Sequence, residues 1–98
     1  VEVSFSGEVW YWRGPSPYHF VSVPERECAE LHDLAPMVSY GWGMIPVEAS
    51  IEDTTWKTSL FPKNGGYIVP VKDKVRHAEG IELGDVVTVR LVVSARRP

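Results

Sequence analysis

The side chains best suited to recognition in this sequence are aromatic. Trp10 and Trp12 fall on one face of an alternating segment whose same face otherwise carries Glu2, Ser4, Ser6 and Glu8. Trp42 stands between Gly41 and Gly43, and Trp56 shares a face with Thr58 and Leu60. An indole is costly to leave in water, so the four Trp residues must either cover the core or wall a pocket for a flat or apolar ligand. Lys72 and Arg76 are spaced i, i+4 and therefore share a helix face. With Lys63 and Tyr67 they would form an anion-binding corner beside Asn64-Gly65-Gly66, whose backbone N–H groups can contribute. The plainer alternative is a solvated helix face on which Arg76 pairs with Glu79 or Asp73. His19 alternates with Tyr18 and Phe20 on a strand, where an imidazole is more often packed or hydrogen-bonded than catalytic. The candidate ligand-binding set is therefore Trp10, Trp12, His19, Trp42, Trp56, Lys63, Tyr67, Lys72 and Arg76.

Other chemistries lack their residues. Cys28 and His32 have a spacing that can present two metal ligands, but two ligands do not make a site and His77 is far along the chain, so no metal is expected. Ser59 has no Gly-x-Ser-x-Gly context and no Asp–His relay. No glycine loop ends in the Lys-Ser/Thr of a P-loop. His19, Glu48, Lys63, Lys72 and Arg76 include acids and bases, yet nothing in the sequence pairs two of them. No catalytic residue and no cofactor are assigned.

The elements that would position these residues are mostly strands. Val1 to Trp12 alternates with period two, placing Val3, Phe5, Gly7, Val9 and Tyr11 on one face. Arg13 to Pro17 is a turn, and Tyr18 to Val23 a second strand. Pro24, followed by Glu25 and Glu27, opens a helix expected to run to about Leu34 and to be ended by Pro36. Met37 to Gly43 reads as a loop, and Met44 to Ile51 alternates again. Glu52-Asp53-Thr54 turns the chain into a strand from Thr55 to Phe61. Asn64-Gly65-Gly66 is the strongest turn signal, because it supplies positive-φ positions freely. Tyr67 to Val71 is a strand, Lys72 to Glu79 a short helix stopped by Gly80, and Val86 to Val93 a β-branched last strand. Two halves thus share the order strand, strand, helix, strand. Closing six strands into one barrel removes most open edges. Pro46 and Pro70 cannot donate to a ladder and mark edges, so the expected barrel is split rather than fully closed.

Composition limits the function classes. Ninety-eight residues make one domain, residues 1–98, with one core. The net charge of −3 argues against a nucleic-acid module, whose binding face is usually basic; the one basic cluster is Arg96-Arg97 at the tail. A single cysteine excludes an intrachain disulfide and fits a reducing compartment. No apolar run has membrane-spanning length, and the first residues lack a signal-peptide pattern, so the cytoplasm is the expected location.

Trp10-Tyr11-Trp12, Tyr18-His19-Phe20-Val21, Trp42-Gly43-Met44-Ile45-Pro46-Val47, Thr58-Ser59-Leu60-Phe61-Pro62, Gly65 through Lys72, and Arg76 through Asp85 together resemble the bacterial domain-of-unknown-function 1905 family over nearly the whole chain. That resemblance implies a six-stranded double-split β-barrel, mainly β, built from two ββαβ halves with two short helices. This fold is shared with AbrB-like transition-state regulators and antitoxins. Gly80 through Val87 also looks like the Gly-Ile-x-x-Gly-Asp turn of those regulators, which bind DNA as dimers through basic loops that this acidic chain does not display. The family carries no established biochemistry; some members are joined to a bacteriocin-protection-type domain. Three functions follow as expectations. The first is a binding module for a small aromatic or anionic ligand at the barrel mouth. The second is an interaction or accessory domain, acting as a dimer or beside a bacteriocin-protection-type partner. The third is an enzyme of unknown reaction type.

Overall fold

The structure is a computed structural model that describes residues 1–93; the Arg96-Arg97 pair lies outside the described residues. Six strands and two helices follow one another as β1 (Glu2–Trp12), β2 (Tyr18–Ser22), α1 (Glu25–Val38), β3 (Ile45–Ile51), β4 (Thr54–Lys63), β5 (Gly66–Val71), α2 (Asp73–Glu79) and β6 (Val86–Val92). The strands close into an antiparallel barrel in the order β1-β2-β5-β4-β3-β6.

Closure depends on two long strands that change partners midway. β1 pairs with β6 from Glu2 to Glu8 and with β2 from Val9 to Trp12. β4 pairs with β3 from Thr54 to Leu60 and with β5 from Phe61 to Lys63. The ladders between β2 and β5 and between β3 and β6 complete the ring. The expected six-stranded double-split barrel is found, with its splits where β1 and β4 change partners; closure is complete rather than partial, and the staggering of the ladders accommodates the prolines. Pro46 pairs with Ser59 on β4 but lies outside the Glu48–Ser50 stretch that pairs with β6. Pro70 pairs with Phe20 but lies outside the Gly66–Ile68 stretch that pairs with β4. Each proline thus sits where its strand has one neighbour, and the missing N–H breaks no ladder bond on the other side.

The two halves are related by an approximate two-fold arrangement that the register makes explicit. Aligning the residues that precede the helices, Pro24 and Lys72, aligns Phe20 with Ile68. Their neighbours on the long strands, Trp10 and Phe61, then correspond, and so do Trp12 and Lys63 two residues on. The inward residues fill the interior: Val9, Val21, Leu31, Ile45, Leu60, Val69, Val71, Val89 and Leu91 are all essentially inaccessible. A six-stranded barrel of this size is packed by its own side chains.

Two turns use the conformations their sequences suggest. Asn64 (φ 51°) and Gly65 (φ 81°) both lie in the left-handed region and form the two-residue hairpin between β4 and β5, the geometry that Asn-Gly favours. Gly80 takes φ 63° beyond α2, and the Ile81 N–H donates back to the Arg76 carbonyl. The first helix departs from expectation. Pro36 lies inside α1 rather than ending it, and the helix continues to Val38. Burial of Val38 anchors the last turn, and the Ser39 N–H donates to the Ala35 carbonyl, so the chain stays helical past the proline.

Candidate functional site

An aromatic cleft lies on the outer face of the sheet formed by β1, β2, β5 and β4. Alternation along the strands creates it. Val9, Val21 and Val69 point into the core, so Trp10, Phe20 and Pro70, one residue along each strand, point out. Phe20 and Ile68 are buried yet stand outside the core cluster, because the outer rings cover them. The Phe20 ring centroid lies 5.3 Å from Trp10, 5.8 Å from Tyr18 and 6.3 Å from Phe61, the last edge-on. These spacings are those of favourable aromatic pairs.

The cleft encloses about 590 Å³ and is lined by Trp12, Ser16, Pro17, Tyr18, Phe20, Thr58, Phe61, Pro62, Lys63, Ile68 and Pro70. Phe20 forms the floor at 8% exposure, whereas Trp12 and Phe61 are 38% and 40% exposed. Lys63 is the charged residue of this lining, and its ammonium sits 4.8 Å from the Trp12 ring centroid. The two equivalent positions at the ends of β1 and β4 therefore meet, one supplying a π face and the other a cation. Trp12 also rests against the backbone of Gly14, where an added Cβ would lie 2.6 Å from the indole. Burial pushes the Tyr18 hydroxyl above its ordinary pKa, with Asp73 adding to the effect and Arg76 opposing it, so it stays protonated well into the alkaline range.

The remaining candidates are dispersed. Trp10 is partly covered, and its indole N–H donates to Ser22 Oγ at 3.0 Å. Trp56, 7% exposed, belongs to the core, and its N–H donates to the Pro70 carbonyl at 3.3 Å, satisfying an oxygen on the side that β4 has left. Trp42 is 93% exposed at the tip of the loop between α1 and β3. Tyr67 and Lys63 line a second recess with Cys28 and Asn64-Gly65-Gly66. His19 and Arg76 line a third with His77 and Glu82. Burial lowers the His19 pKa below its ordinary value, with Arg76 adding to the effect. Arg76 turns back to Asp73 at 2.8 Å, and its Nε is covered without a hydrogen bond. Lys72 is exposed just before α2 begins, outside the helix. Lys72 and Arg76 are thus not gathered with Lys63 and Tyr67 into one corner. Among the described residues, no group of three His, Cys, Asp or Glu side chains has metal-site proximity.

Sequence reasoning named Trp12 and Lys63 from this cleft but missed Tyr18, Phe20 and Phe61. Phe20 carried a signal, since it alternates with Val21 on a short strand. Phe61 lies where β4 changes partners, and no local pattern shows that.

Fold and cleft together define a small, closed, antiparallel six-stranded barrel with an aromatic surface groove. The chain belongs to the family described as "Domain of unknown function (DUF1905)", whose model matches residues 5–91. Comparison with curated proteins finds no match. No helix among the described residues is long and apolar enough to cross a membrane.

Proposed function

We propose that this domain is a binding module whose cleft takes a flat, apolar group bearing a negative charge. The observation that carries this reading is the lining itself: rings on the floor and walls, with Lys63 stacked over Trp12 at the rim. A planar ligand body gains offset or edge-on contacts with Phe20, Phe61 and Tyr18. An anionic substituent gains a charge partner already held in place by the indole, so little side-chain freedom remains to be lost. Lys63 and Tyr18 are the titratable side chains of the lining, which supports binding rather than acid–base catalysis. The chain's net negative charge supports a ligand other than nucleic acid, despite the AbrB-like turn.

The test uses two fluorescent probes of similar shape. Anilinonaphthalene sulfonate is anionic and N-phenylnaphthylamine is neutral. The wild type should bind the anion saturably and more tightly. Phe61→Ala should weaken both probes by about tenfold, equivalent to roughly 1.4 kcal/mol. Lys63→Gln should abolish the preference for the anion while leaving the neutral probe unchanged. Binding that is indifferent to both substitutions overturns the reading.

A further inference from the structure

Trp42 has no part in holding the fold, yet the fold holds Trp42. Its loop is closed on both sides: the Tyr40 N–H donates to the Met44 carbonyl and the Met44 N–H to the Tyr40 carbonyl, each at 2.9 Å. Gly41 (φ 57°) and Gly43 (φ 89°) set the reversal on either side of the indole, conformations that suit glycine. The loop leans on β4, where Tyr40 Oη and Ser59 Oγ are hydrogen-bonded at 2.7 Å, and a Cβ on Gly43 would lie 3.4 Å from Pro62 Cγ. Pro62 lines the aromatic cleft, so Trp42 is displayed from a fixed backbone immediately beyond the cleft's rim. Tyr40, in the same loop as Trp42, is also exposed.

We propose that the cleft and Trp42 form one interaction surface for an extended, proline-containing acidic segment of another polypeptide. This rests on the reading of the cleft given above and names its partner. A compact ligand filling the cleft would leave Trp42 in water. An extended chain can seat one ring in the cleft, bring a neighbouring carboxylate to Lys63, and run on past Pro62 to pack against Trp42. Aromatic-walled grooves receive proline segments because the polyproline II form is already extended, lacks internal hydrogen bonds and loses little entropy on docking. Charge complementarity fixes the acidic character, since Lys63 is the charged residue of the lining. A fully exposed tryptophan on a preorganised loop is the residue type that anchors such contacts.

The experiment screens an array of random blocked dodecapeptides against the wild type, Trp42→Ala and Phe61→Ala, with anilinonaphthalene sulfonate titrated in parallel. The wild type should select peptides with proline next to Asp or Glu. Both variants should lose at least about tenfold in affinity for the selected peptides, whereas Trp42→Ala should leave dye binding unchanged. Circular dichroism checks that the variants are folded, as the exposure of both side chains leads one to expect. If the dye binds as described but no acidic proline peptide is selected, or Trp42→Ala binds the peptides normally, the inference falls and the binding reading stands. If the dye binds without regard to Phe61 and Lys63, the binding reading itself falls. Concentration-dependent self-association lost in Trp42→Ala would overturn the inference in favour of a second copy of this chain as the occupant.

Discussion

At the scale of single residues, the four tryptophans have separated into four physical situations, although the sequence presents them as one group. Trp56 faces the core with its N–H satisfied, Trp10 lies half-covered against Phe20, Trp12 is stacked beneath an ammonium, and Trp42 stands in water. Stability should follow that order of burial rather than residue type. Trp56→Ala should cost about 3–5 kcal/mol, the range for truncating a buried large aromatic, and it also leaves the Pro70 carbonyl without its donor. Trp12→Ala should cost about 1 kcal/mol, near the centre of the usual distribution. Urea denaturation of the two variants measures the difference, and equal losses would contradict the placement of Trp56. Alternation places Trp10 and Trp12 on the face opposite Val9, and the structure agrees. It could not separate Trp56 from the cleft, because that depends on the strand's position in the ring.

At the scale of elements, the decisive features are the points where β1 and β4 exchange partners. In β1 the exchange falls between Glu8, the last residue paired with β6, and Val9, the first paired with β2. Gly7 stands next to it, and a Cβ there would lie 2.8 Å from Val21 Cγ1 and 3.3 Å from the Ser22 carbonyl oxygen. The glycine is needed for this close approach, since β2 crosses where any side chain would collide with a fully buried valine. Gly7→Ala should therefore destabilise by about 1–3 kcal/mol, the usual cost of overpacking, lowering Tm by about 4–8 °C per kcal/mol. A thermal melt matching the wild type would show that the strands do not approach so closely. The sequence shows Gly7 only as a small residue on an inward face. Strand existence was legible from alternation and turn chemistry, notably at Asn64-Gly65 and Gly80. The partner exchange was not, because pairing is set by distant strands. Pro36 misled for a related reason: the local rule ends the helix there, while burial of Val38, a tertiary contact, carries it on.

At the scale of the whole molecule, the repeated strand-strand-helix-strand order suggests two modules, but the pairing makes them inseparable. The first half supplies β1, β2, α1 and β3, the second β4, β5, α2 and β6. β3 pairs with β4 and β6, both of the second half. β6 in turn pairs with β1 and β3, both of the first. Each half alone would keep one hairpin and an unpaired third strand, and an isolated two-stranded hairpin is marginal at best in water. The aromatic cleft is likewise shared, with Trp12, Tyr18 and Phe20 from one half and Phe61, Lys63 and Ile68 from the other. Separate peptides covering residues 1–52 and 53–98 should therefore each lack ordered strand structure, and mixing them should restore both the barrel and the cleft. The break falls in the Glu52–Asp53 turn, so every strand stays whole. Trp56, the one tryptophan of the second half, becomes buried only when β4 meets its partners. Its emission should shift to shorter wavelength in the mixture relative to the sum of the two halves, along with a gain of far-ultraviolet strand signal. A cooperative melt from either half by itself would show that the module, and not the interlocked ring, is the folding unit. The cleft would then have to be explained as an interface between two independent domains.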